Sequence, residues 1–396
     1  MTAFEPHLEG MRGDLLRQVQ LERLQAVLAR LKRNVRRYRE LLGAVRVESL
    51  DDLAKLPVTT PEDLVAAFPY GMFALPLREV VRLHSTLGPQ GRHLVVGHTR
   101  NDLRQWARLA ARQLIAAGVT ASDVIQIYFA GGSFTQSMGF MLGAELLGAS
   151  VIPEDPLHVD HQLEVIENYR ATVLITTPGN ARELAAALAA QGRDPQSLQL
   201  RTLVLARPVG AEERDEFSSS LLAAVRCSFG VSEIADPGIA VECEHGRFHA
   251  NEDHFLVEED AGELLVTTLT REAMPLLRFR TRIAARLEHE RCDCGRTGLQ
   301  IVPGVRLDDR LRVNEMPLYR NQIAEVLSKT RAAGQPFRLE ISERRIQVEI
   351  EVSPDFFRDQ MRVLADLRND IRSEFLNRLG VEAEVRYISP SSAPRP

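Results

Sequence analysis

The 396-residue sequence predicts an α/β protein. Residues 1–307 form a large N-terminal domain of layered sheets and helices, and residues 308–396 a small α+β C-terminal domain. Three observations carry this reading. Between residues 101 and 206, helical and short apolar strand patterns alternate, the mark of a layered, largely parallel sheet. Near residue 308 the order changes to helix–strand–strand–helix–strand, of roughly ferredoxin-like type. The length exceeds what one ordinary core supports, and 44% hydrophobic with 26% charged residues is a globular composition.

Each element has a local reason. Leu21, Leu24, Val27, Leu28, Leu31, Val35 and Tyr38 recur at helical spacing, predicting a helix over 15–42. Ser49–Leu53 and Thr60–Leu64 read as short capped helices, the second with Pro61 at its first position. A helix over Asn101–Ala117 precedes a strand over Val124–Phe129. Further helices follow at Gln136–Leu147, Leu163–Tyr169 and Ala181–Ala190, and strands at Ser150–Pro153, Thr172–Thr176 and Thr202–Ala206. The tail reads helix Asn321–Arg331, strands Phe337–Ser342 and Arg345–Val352, helix Phe356–Leu379 and strand Ala383–Ile388. The Pro/Ser-rich end, Ser389–Pro396, is expected to fray.

Composition narrows the function. A net charge of −5 argues against coating nucleic acid, and no apolar run approaches the ~18 residues of a membrane span. Acidic residues early in the chain and the lack of an apolar leader core lead us to expect a cytoplasmic protein. In that compartment Cys227, Cys243, Cys292 and Cys294 are thiols or metal ligands rather than disulfides. Lysine occurs only at Lys32, Lys55 and Lys329, so few residues could serve as a catalytic lysine.

Several motifs in order carry a family resemblance. They include Leu53-Ala54-Lys55-Leu56-Pro57-Val58-Thr59-Thr60, Phe68-Pro69-Tyr70-Gly71-Met72-Phe73-Ala74 and Val95-Val96-Gly97-His98-Thr99-Arg100-Asn101-Asp102. Gly143-Ala144-Glu145-Leu146-Leu147-Gly148, Phe229-Gly230-Val231-Ser232-Glu233 and Leu269-Thr270-Arg271-Glu272-Ala273-Met274-Pro275 continue it. Over nearly its whole length the chain resembles phenylacetate–coenzyme A ligases of the adenylate-forming superfamily. The resemblance implies an adenylate-forming-type N-terminal domain, a small C-terminal domain that is mobile in the reaction cycle, and often a homodimer. Such enzymes join a carboxylic acid to coenzyme A through an acyl adenylate made from ATP.

The resemblance also assigns residues. The phosphate loop corresponds to Ser85-Thr86-Leu87-Gly88-Pro89-Gln90-Gly91-Arg92, where Leu87 adds bulk and Pro89 removes a donor. Glu233 would hold Mg²⁺, with Phe229, Gly230 and Ser232 around the nucleotide and acyl group. The ribose carboxylate is replaced by Ile283, which cannot accept hydroxyl hydrogen bonds. Arg306 and Asp308-Asp309 match the hinge, whereas no lysine follows Lys329. Phe129, Gly131, Gly132 and Phe134 would line a flat acyl slot suited to an aromatic ring.

Cys292-Asp293-Cys294-Gly295-Arg296 resembles a Cys-x-Cys-Gly-Arg element found in part of the family. With Cys243 and His249 it would complete a structural Cys₃His zinc site across residues 243–294, His245 and His254 being rival ligands. Cys227 is then left over. It is either a nucleophile, with His84 as its base, or a buried core thiol. Three adenylation requirements looking damaged together lead to the expectation of an ATP-independent acyltransferase of secondary metabolism. It would carry an anthraniloyl- or benzoyl-like group from a coenzyme A thioester to an acyl carrier protein, with Cys227, His84 and Glu233 catalytic and Ser85, Thr86 and Arg306 binding the coenzyme. The alternatives are an ATP- and Mg²⁺-dependent aryl-CoA ligase and a non-catalytic acyl-binding homologue.

Overall fold

The computed structural model describes residues 2–129, 134–153, 158–313, 316–341, 346–351 and 361–388. Two compact units result. The first holds Met1–Asp308 apart from short pieces at 89–92 and 130–132, and the second holds Asp309–Pro396.

The first unit opens with α1 (Pro6–Glu9), α2 (Gly13–Asn34) and α3 (Arg36–Leu42). The single helix expected over 15–42 is interrupted at Val35, whose backbone is extended at φ −110°, ψ 114°. The break carries Tyr38 into the core, where its hydroxyl lies 2.6 Å from Thr59 Oγ1 and accepts from Leu277 N–H. Tertiary anchoring overrides the helical periodicity there. Ser49 starts a 3₁₀ turn over Leu50–Lys55, and Thr60 caps α4 (Pro61–Ala66) in a capping box with Asp63. The hairpin of β1 (Arg82–Leu87) and β2 (His93–His98) leads into α5 (Arg100–Ala116), which Thr99 and Asp102 box at its start.

The alternating region is a doubly wound sheet. Its elements are β3 (Val124–Tyr128), α6 (Phe134–Leu147), β4 (Ser150–Ile152), α7 (Val159–Asn168), β5 (Val173–Thr176), α8 (Pro178–Ala190), β6 (Thr202–Leu205), α9 (Ala211–Leu221) and β7 (Ala224–Cys227). The strands run parallel in the order β4-β3-β5-β6-β7. Strands β5 and β6 are buried at every position, as a sheet covered on both faces requires.

Only Ser228 separates β7 from β8 (Phe229–Val231), so the chain passes there into a second sheet. That sheet adds β9 (Ala235–Glu242), β10 (Phe248–Ala250), β11 (Phe255–Asp260), β12 (Glu263–Thr268), β13 (Phe279–Glu288) and β14 (Gln300–Arg306). It is antiparallel in the order β11-β12-β13-β14-β10-β9-β8. The main core joins α2, α3, α8 and both sheets.

The second unit has a core of its own. A short hairpin of β15 (Leu311–Val313) and β16 (Met316–Leu318) precedes α10 (Arg320–Ser328). Then β17 (Phe337–Ile341), β18 (Ile346–Glu351), the helix Met361–Leu379 and β19 (Ala383–Ile388) follow in the expected order. Strand β18 lies centrally, antiparallel to β17 and parallel to β19.

Candidate functional site

Ligands of open parallel sheets bind beyond the carboxyl ends of the strands, where the strand order reverses. Here that point lies between β3 and β5. Phe129 stands directly after β3, buried and 6.3 Å from Phe140. Gly131 and Gly132 lie outside the described residues, as does the side chain of Phe134. Gln136, in the first turn of α6, donates to the carbonyl of Ala206 beyond β6 and to Ser228 Oγ beyond β7, tying the strand ends together. A cleft of about 200 Å³ is lined by Pro208, Val209 and Arg214 together with Phe248 of β10 and Ile301 and Pro303 of β14, among others.

The Phe229–Glu233 segment leaves this same edge. Phe229 is 4% exposed, and its ring sits edge-on to Phe248 at 6.1 Å. Gly230 has a steric cause: a Cβ there would meet Ala235 O at 2.4 Å. Ser232 is half-buried and Glu233 buried.

A polar relay ties Glu233's neighbour to the β1–β2 hairpin. Arg271 Nη1 donates to Ile234 O at 2.7 Å and lies 3.4 Å from His98 Nδ1, while Nη2 donates to Gly97 O. The His98 ring stacks on Trp106 and lies 5.0 Å from His84. Burial first, then Arg82 and Arg271, push the His84 imidazole down to about 4, and burial and Arg271 lower His98 too. Both histidines are therefore neutral components of the packing. The relay was missed in the sequence because Arg271 stands 173 residues from His98.

Ser85 is exposed on β1, its hydroxyl 3.2 Å from His93 Nδ1 across the hairpin, and Thr86 is half-buried beside it. Ile283 lies buried on β13 opposite Arg306, whose guanidinium holds Asp308 at 2.8 and 2.6 Å.

Cys227 corrects the proposed nucleophile. It is fully buried on β7, and burial together with Glu242 pushes its thiol up to about 12. Its Sγ accepts from Arg214 Nη2 at 3.4 Å, its N–H donates to Glu242, and its carbonyl accepts from Gln113 at 3.1 Å. A protonated thiol out of contact with solvent does not attack a thioester. His84 is packed on His98 and Trp106 instead of serving as its base.

The remaining cysteines converge. Cys243, His249, Cys292 and Cys294 place their ligand atoms within 4.8 Å of one another. Cys243 Sγ lies 3.7 Å from Cys292 Sγ, and Cys294 Sγ lies 3.4 Å from His249 Nε2. A tetrahedron with Zn–S near 2.3 Å and Zn–N near 2.05 Å has edges of about 3.8 and 3.5 Å. The quartet therefore fits such an ion. His249 Nδ1 faces Gly298 O at 3.4 Å, which leaves Nε2 for the metal. Of the rivals, His245 is exposed on a turn, and His254 is held by Thr270 and Asp253.

Known proteins place this geometry in context. Residues 316–396 match the family model described as the AMP-binding enzyme C-terminal domain. The chain is 34% identical to the phenylacetate–coenzyme A ligase of Thermus thermophilus, over 99% of this chain and 96% of that protein. It is 32% identical to the Escherichia coli ligase of the same name, over 100% of this chain and 95% of that one. A crystal structure of 2-hydroxyisobutyryl-CoA ligase superposes with a TM-score of 0.85 at 21% identity, covering 99% of this chain and 90% of that one, a likeness of fold. These relatives are ligases, which overturns the expectation of a carrier-protein acyltransferase, as the burial of Cys227 already indicates. No helix among the described residues is long and apolar enough to cross a membrane. With 34% and 32% identity to these enzymes over nearly the whole of each chain, the chain belongs to the phenylacetate–coenzyme A ligase family and is an enzyme of the acyl-CoA ligase kind.

Proposed function

We propose that the protein is an ATP-dependent aryl acid–coenzyme A ligase acting on phenylacetate or a closely related arylcarboxylic acid. The observation that carries this is full-length identity of 34% to a phenylacetate–coenzyme A ligase. Glu233 would hold a Mg²⁺ ion, which would neutralise charge on the triphosphate, and Ser85 and Thr86 would donate to the phosphates from the hairpin. The acyl group enters at the end of β3 beside Phe129. Carboxylate oxygen attacks the α-phosphorus and pyrophosphate leaves; the thiol of coenzyme A then displaces AMP from the acyl adenylate.

Incubation with phenylacetate, MgATP and coenzyme A should release pyrophosphate and form the thioester, each strictly dependent on all three substrates. Absence of pyrophosphate across a panel of arylcarboxylic acids would overturn the reading. Ile283 in place of a ribose-binding carboxylate leaves ATP with fewer hydrogen bonds, so a high KM for ATP is expected in the same assay.

The Cys243–His249–Cys292–Cys294 quartet would hold a structural zinc ion, which would act there as a cross-link, since four protein ligands would leave no open position for a substrate. Metal analysis should find one zinc per chain, and less than about half an equivalent argues against the site.

A further inference from the structure

We propose that residues 2–11 form a strap whose docking is set by metal occupancy of the Cys243–His249–Cys292–Cys294 quartet and relayed through Arg296. The inference rests on the zinc reading above.

The strap's apolar side chains Phe4, Leu8 and Met11 are only half-buried, whereas the Glu9 carboxylate is 3% exposed, so its best-enclosed contacts are polar. Arg296 Nη2 donates to Thr2 O at 2.6 Å and to Glu9 Oε2 at 3.2 Å, and both charged side chains are 3% exposed. Thr297 Oγ1 donates to Met11 O at 3.0 Å. Glu9 also accepts from Glu5 N–H at 2.8 Å, and Glu5 pairs with Arg108 and Arg112 on α5. The strap is therefore held at two sites: Arg296 and Thr297 hold Thr2, Glu9 and Met11, and Arg108 and Arg112 hold Glu5 between them.

Those two residues lie in the connection 289–299, which contains neither helix nor strand. Cys292 and Cys294 point inward from it to Cys243 and His249. Arg296 is two residues beyond Cys294 and donates its own N–H to Cys294 Sγ at 3.4 Å. A metal ion here links the connection to β10 and to the end of β9. Without it, three thiols and an imidazole hold each other only weakly, since sulfur is a poor hydrogen-bond partner. Arg296 then loses its fixed place, and the buried Glu9 carboxylate loses its cation. A buried charge stripped of its partner is strongly unfavourable, and hydration by release of the strap relieves it.

The test uses the full chain in reducing buffer, zinc-loaded or stripped with a chelator. Three quantities are read: zinc per chain, hydrogen exchange of residues 2–11, and cleavage after Glu9 by a glutamate-specific protease. Stripping should speed cleavage after Glu9 at least tenfold and deprotect residues 2–11, with exchange in β5 and β6 unchanged. Arg296→Lys should give the same release while retaining zinc. Equal strap protection with and without zinc overturns the coupling and leaves the zinc site standing, whereas absence of zinc overturns both. Should stripping loosen the whole unit, Arg296→Lys decides alone: zinc retained with a protected strap overturns the proposal.

Discussion

At the scale of single residues, Glu233 and Cys227 separate the ligase reading from the discarded one. Glu233→Gln removes the carboxylate proposed to hold Mg²⁺ and should lower pyrophosphate release by about 10²-fold or more, with little change in unfolding. Cys227→Ala should leave thioester formation within about twofold of wild type and cost about 1 kcal/mol of stability through lost packing, read by denaturant titration. Loss of activity in Cys227→Ala with stability intact would contradict its assignment to the core. Ile283→Asp should lower the KM for ATP about tenfold, the worth of hydrogen bonds between a carboxylate and ribose hydroxyls; an unchanged KM would place the ribose elsewhere.

At the scale of elements, α5 is held by charge. Arg112 is fully buried and meets both Asp253 oxygens at 2.8 Å, together with Asn251 and Glu5. Burial alone would raise the Asp253 carboxyl, but Arg112 overrides it and holds it at about 2. Asp253→Asn leaves Arg112 buried with one carboxylate fewer and should cost about 3 kcal/mol, measured by chemical denaturation. Imidazoles are buried as well, His84 on β1 and His254 just before β11. His84 and His254 are both pushed down to about 4 by burial. Unfolded histidines bind protons below about 6.5 while these two do not, so stability falls as pH drops from about 6.5 towards 4. The slope is up to about 1.4 kcal/mol per pH unit for each imidazole. His84→Phe should reduce the slope between pH 6.5 and 5 by about one proton; an unchanged slope would show that His84 does not take part.

At the scale of the whole molecule, the alternation of strands and helices through residue 206 and the order of the last five elements were legible because they are local. Side-chain periodicity and caps such as Thr60–Asp63 and Thr99–Asp102 act within a few residues. The cysteine–histidine quartet was legible in part: the Cys-x-Cys spacing and the family resemblance named its members. Three histidines remained open until burial and hydrogen bonding distinguished them. The polar partners of Cys227 were not legible, since Gln113 and Glu242 reach it from 114 and 15 residues away. By itself the sequence determined the order of elements, the family and the arginine-rich, lysine-poor chemistry available to the site. Only the tertiary structure decided that Cys227 is core, that Phe229 packs on Phe248, and that His249 completes the quartet. Propensity and pattern are written between neighbours along the chain, whereas burial, and with it protonation and reactivity, comes from segments brought together across it.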